Sequence, residues 1–154
     1  MQDFDLTPWA TLATIVAPII TLLGFGFILL QIRGSIRATQ ADAKAQIYGL
    51  GLRLHEIMIT YPELRQYIYD DTAPPETGDL RARVFVACEM YCDFFEYVIA
   101  EGDIVGEDVR QAWISMMRTI VRRSPSVRAF VADHRNQYTS EFLAIFDAET
   151  RNRR

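Results

Sequence analysis

Among its 16 basic residues this chain has a single lysine, Lys44, and it holds only two histidines, His55 and His134, and two cysteines, Cys88 and Cys92. It lacks a glycine-rich phosphate loop, a Ser or Cys nucleophile motif and an HExxH zinc signature, so none of the common hydrolase or nucleotide-binding chemistries is announced. The balance is acidic, with a formal net charge of -4. A general nucleic-acid binder would instead carry a basic footprint. No stretch alternates apolar and polar residues over strand length, which leaves helix as the periodic signal throughout.

The largest absence is of charge between Asp5 and Arg33. The run from Trp9 to Ile32, WATLATIVAPIITLLGFGFILLQI, extends ~36 Å as a helix and meets the criteria for one membrane span. The leader MQDFDLTP is acidic rather than basic and the apolar run is too long for a signal peptide, so retention of the segment is expected. The other reading, a core helix of a soluble domain, rarely goes this far without a charge. Asp3 and Asp5 precede the run, whereas Arg33, Arg37 and Lys44 follow it. Basic residues collect on the cytoplasmic side, so the expected topology is a single pass through a cell inner membrane, N-terminus outside and C-terminal domain cytoplasmic. Trp9, Arg33 and Arg37 are the interface anchors in this reading.

Within the run, Ala13, Ala17 and Thr21 recur every four residues and Gly24 adds a further small position. Such a seam lets lipid-embedded helices approach closely, and Pro18 predicts a kink in its midst. No proline follows until Pro62, so the helix is expected to continue through residues 33–60 as a juxtamembrane element. Its first half is polar nearly all round; Ile36, Ile47, Leu50, Leu54, Ile57 and Met58 form an apolar face toward its end. The expected division is residues 1–32 as tail and span, 33–60 as the juxtamembrane helix and 61–150 as a cytoplasmic bundle.

The bundle reads as about four helices. Thr60, Pro62 and Glu63 form a capping-box pattern that starts a short helix, and DDTAPPETGD is a loop. Val84, Cys88, Tyr91, Cys92, Phe95, Val98 and Ile99 mark the apolar face of a long helix that ends at Gly102. A further helix spans Asp108 to Arg123, with Val109, Trp113, Met116, Met117 and Ile120 inward. Ser124 and Pro125 stop it and cap a last helical stretch that carries Phe130, Tyr138, Phe142 and Phe146. The fold class is therefore all-α, with short connections that favour antiparallel neighbours.

TYPELRQYIYD, CEMYCDFFEYV, WISMMRTIVRRSPSVRAFV and the following Tyr138 together resemble a family of small single-span bacterial proteins of uncharacterised function. The residues shared are mainly caps and core positions, so the resemblance implies a fold rather than a chemistry. The chain is also similar, more loosely, to HEPN-type helical bundles, whose ribonuclease members carry an Arg followed four to six residues later by His; membrane-anchored relatives act beside RNA-targeting CRISPR systems. That likeness implies Arg128 and His134 as catalytic candidates, with Ala129 in place of the polar residue that often follows the Arg. A His near neutral pKa would move the proton while Arg steadied a phosphorane. On an unbroken helix the two side chains would lie well over 100° apart, so the pair requires a helix break or a dimer.

Cys88 and Cys92, one turn apart, read as buried thiols; a zinc site with His55 and His134 would have to gather ligands from three helices. Glu89, Asp93 and Glu96 line one helix and read as an acidic stripe facing solvent or Arg110, Arg118 and Arg122. No Glu-x-x-His motif accompanies them, as a di-iron bundle would need. No cofactor or metal is expected. The partners expected are the lipid bilayer and either further copies of the chain or other membrane-protein subunits. The functional expectation is a non-catalytic, single-pass anchored module that self-assembles or serves as an accessory subunit. The alternative is a HEPN-like defence effector that forms a membrane assembly or cuts RNA.

Overall fold

A computed structural model describes the backbone of residues 7–151 and the side chains of residues 16, 18–102, 104 and 106–151. Every regular element among the described residues is helical. The chain separates into two compact units, residues 1–39 and residues 40–154.

Helix α1 runs Thr7–Thr60 and carries Pro18 inside it without ending there. Its first part belongs to the first unit, where the described side chains are exposed. From Gln40 onward α1 belongs to the second unit, because Ile47, Gly51, Leu54 and Met58, spaced four, three and four residues, turn one face into the core. The boundary between the two compact units falls between residues 39 and 40, where the inward-packing turns of α1 begin. Ile36 stays 53% exposed, outside the inward face.

The restart after α1 differs from a capping box. The hydroxyl of Thr60 donates back to the Glu56 carbonyl at 2.8 Å, and Tyr61 takes the cap position with no side-chain bond. A 3₁₀ turn, Pro62–Leu64, leads into α2, Arg65–Tyr69, and Leu64 and Ile68 anchor the pair in the core. After the loop of residues 70–77 comes α3, Gly78–Ala100, with all seven apolar positions expected from its periodicity buried, and Ala87 and Phe94 besides.

The short α4, Gly102–Val105, was not apparent in the sequence; Gly106, at φ 93°, joins it to α5, Glu107–Arg123. Only glycine adopts that left-handed backbone without strain. Ser124 then accepts from the Val127 amide at 3.0 Å and donates to the Tyr67 carbonyl at 2.5 Å, so one buried hydroxyl caps α6, Pro125–Asp133, and ties it to α2. The last stretch is not one helix. It breaks at His134, passes through a 3₁₀ turn, Arg135–Gln137, and resumes as α7, Ser140–Arg151. The break is held from α3: the Glu96 carboxylate accepts from the Thr139 amide at 2.6 Å and Asp93 accepts from the Tyr138 hydroxyl at 3.3 Å.

The core lies where α3 meets α5, α6 and α7. Tyr91, Phe95, Phe130, Phe142 and Phe146 fill it, and the Tyr69 and Tyr91 hydroxyls share a hydrogen bond of 2.6 Å. Aromatic side chains bury large areas each, and a buried phenol is stable only with a partner of this kind.

Candidate functional site

The most distinctive surface is the exposed apolar wall of α1. Leu22, Leu23 and Leu30 are 71%, 70% and 66% exposed, and Ile20, Phe25 and Phe27 lie close behind. From Pro18 to Thr60 α1 contains a segment of mean hydropathy 1.8, none of it buried, which by length and composition is enough to cross a membrane. Pro18, Thr21, Gly24, Arg33 and Arg37 are exposed on this helix, and open space surrounds Gly24. The side chains of Trp9, Ala13 and Ala17 lie outside the described residues.

In the bundle, Arg128 is a helix-terminal clamp. Its Nη1 donates to the Val121 and Arg122 carbonyls at 2.7 and 2.9 Å, and its Nη2 lies 3.9 Å from Asp71. A guanidinium on the last carbonyls of α5 satisfies acceptors that the helix leaves unpaired. His134 serves a different end: Nδ1 donates to the Phe130 carbonyl at 2.8 Å and the ring stacks on Phe130 at 4.3 Å. The helix break that the pair would require is present at His134, yet the two side chains are engaged at opposite ends of α6.

Cys88 and Cys92 are free and buried. Burial pushes the Cys88 thiol up to about 12, and burial with the neighbouring Cys88 and Asp93 pushes Cys92 well above the ordinary range. Such thiols are inert at neutral pH. His55 bonds the Gly51 carbonyl at 2.8 Å on its own helix. Among the described residues no three His, Cys, Asp or Glu side chains gather as metal ligands.

The arginines of α5 do not pair with the α3 stripe. Arg110 bonds Glu107 and Glu141, and Arg118 and Arg122 flank Glu149 at 3.5 and 3.7 Å. Glu149 is a buried carboxylate that no periodicity singled out, because its partners come from another helix. The α3 acids hold the turn before α7 instead, and burial, followed by Glu89 and Glu96, holds Asp93 above the usual carboxylate range even though Tyr138 donates to it.

Between α1 and α3 runs an apolar groove. A cleft of about 430 Å³ is lined by Ile57, Tyr61, Leu64, Val86 and Met90, with Arg83 at its edge. A second, of about 340 Å³, adjoins it at Met90 and is lined by Leu50, Arg53, Leu54, Asp93 and Tyr97. The sequence pattern showed Leu50 and Ile57 as apolar but offered no sign that α3 would leave them half covered.

The fold thus defines an all-helical protein with one long apolar helix. Comparison with family models, curated proteins and solved structures found no match to the chain.

Proposed function

We propose that this chain is a single-pass membrane protein whose helical bundle works by contact, assembling with copies of itself or docking as an accessory subunit of a membrane complex. The observation that carries the reading is the wall of exposed apolar side chains from Val16 to Ile32, uninterrupted by charge and unburied. In water such a surface is far larger than the apolar patches a soluble monomer exposes. In a bilayer it is the matched solvent, and a helix meets all its backbone hydrogen bonds internally. The basic residues Arg33, Arg37 and Lys44 after the run support a cytoplasmic bundle, and the four-residue spacing of Ala13, Ala17 and Thr21 in the sequence, with Gly24, supports close approach of spans in the lipid. Arg128 and His134 support helix ends, which favours a structural rather than a nucleolytic use of both.

Alkaline extraction of membranes from expressing cells tests the anchor. The chain stays in the pellet if it spans the bilayer; release to the supernatant sinks the proposal. Thiol labelling of single cysteines introduced at Gln2 and at Glu76 reads the topology, with only the first accessible from outside. Mass measurement in detergent or nanodiscs reads the assembly, and Ala13→Leu with Ala17→Leu is expected to lower the copy number or strip a partner.

A further inference from the structure

We infer that the α1/α3 groove is seated by the same groove of a second copy of this chain, the two related by a two-fold axis along the groove and joined by reciprocal Arg53–Asp93 ion pairs. The inference rests on the membrane reading above and names the surface through which copies meet.

The groove is continuous rather than a scatter of apolar residues. Gln46, Gly49, Leu50 and Arg53 line a third cleft of about 260 Å³, which joins the second through Leu50 and Arg53 as that one joins the first through Met90. Along it Leu50, Tyr61, Val86 and Met90 are 38%, 45%, 53% and 37% exposed, beside the buried Val84, Ala87, Tyr91 and Phe94 of α3. Contiguous apolar surface with polar margins is the signature of an interface.

Charge decides the occupant. Arg53 on α1 and Asp93 on α3 line the same cleft from its two walls. Among the described residues Arg53 has no ion-pair partner, and Asp93 has only the 3.3 Å bond from Tyr138. Opposite charges on the two walls of one cleft are self-complementary under a two-fold rotation: Arg53 of one copy comes to Asp93 of the other, and the reverse. A foreign helix would have to bring an acid and a base of its own, whereas this chain already carries both. Spans inserted alike keep copies in one orientation and confine them to a plane, which raises their effective concentration. Asp93, whose ionised form is disfavoured by burial, would gain a guanidinium in the pair.

The test uses the full chain in liposomes, with self-association read by energy transfer between labelled copies. Arg53→Asp and Asp93→Arg each replace two attractive contacts by two repulsive ones, and each alone is expected to weaken association ~10-fold or more. Mixing the two single variants restores both pairs between unlike chains, so hetero-association returns toward the wild-type level. The double variant is restored as well. Single variants that associate like the wild type, or mixtures that fail to recover, overturn the inference while leaving self-assembly through the span intact. Wild-type copies that stay single at every density overturn it too, and assign the groove to a foreign helix; membrane extraction then tells whether the anchor also fails. Met90→Cys mixed with Leu50→Cys gives a readout independent of charge, because the two-fold sets α3 of one copy against α1 of the other and Cys88 and Cys92 are buried and silent. Cross-linked dimers of the unlike variants are expected, and their absence counts against the groove even if a charge variant misfolds.

Discussion

Two stretches of one helix make the sharpest contrast in this protein. Between Val16 and Ile32 the described apolar side chains of α1 are exposed on successive residues all round the helix; between Ile47 and Met58 the buried positions Ile47, Gly51, Leu54 and Met58 keep to one side, at spacings of four, three and four. The chemistry of the residues is nearly the same, with Leu and Ile prominent in both. What differs is the arrangement: a one-sided helix has a core to pack on, and an all-round apolar helix is the pattern on which the proposed membrane reading rests. The polar turns from Arg33 to Asp42 separate the two regimes, and the second unit begins within them, at residue 40.

The contrast breaks most severely from the bundle side. Phe142, 1% exposed and stacked on Tyr138, is a core residue. Phe142→Ala should cost ~3–5 kcal/mol by chemical unfolding of the bundle, with membrane retention unchanged. From the other side, under the proposed membrane reading, Leu23→Arg raises the cost of insertion by ~3–4 kcal/mol. It should reduce the alkali-resistant fraction and leave the unfolding midpoint of the bundle where it was. If either variant moved both readouts equally, the two stretches would not be separate regimes.

Smaller changes sharpen the boundary. A Cβ at Gly51 would stand 2.8 Å from the Trp113 ring, which itself meets Phe94 edge-on at 4.9 Å. Gly51→Ala should therefore cost ~1–3 kcal/mol through overpacking, while Gly49→Ala, which meets open space in the chain itself, should be neutral or stabilising in the same denaturant titration. Ser124→Ala removes a cap and the bond to Tyr67, for a loss of ~1 kcal/mol or somewhat more. The smallest effect belongs to the exposed pair Arg135–Asp147, which is bidentate at 2.9 and 2.8 Å. The Arg135 guanidinium beside Asp147 holds its carboxyl below the usual range. A depressed carboxyl contributes stability above its unfolded pKa and loses it as pH falls through the folded value. The wild type and Asp147→Asn should thus converge in melting temperature toward acid pH and differ slightly at neutral pH; a difference that widened in acid would contradict the assignment.

Most of the helical periodicity was legible. The α3 face from Val84 to Ile99 and the Ser124–Pro125 junction follow from residues within a turn or two of each other, and both appear as expected. Local signals failed where a distant group competed. Thr60 and Glu63 match a capping box, but the hydroxyl finds the carbonyl one turn back instead. The stretch from Ser126 to Glu149 has helical character throughout and still breaks at His134, because Glu96 and Asp93 from α3 bind the turn. Arg118 and Arg122 look like partners for the α3 acids by spacing alone, and Glu149 takes them by proximity.

Residue order alone was sufficient for the all-helical class, the apolar wall of α1 and the inward face of α3, because hydrophobic periodicity and local capping act over three or four residues. Tertiary packing alone chose where the last helix breaks, which acid meets which arginine, and that α1 and α3 leave a groove with Arg53 and Asp93 on its walls. Those choices depend on groups distant from each other in the chain, such as Glu96 and Thr139 or Arg118 and Glu149, whose meeting no local pattern encodes.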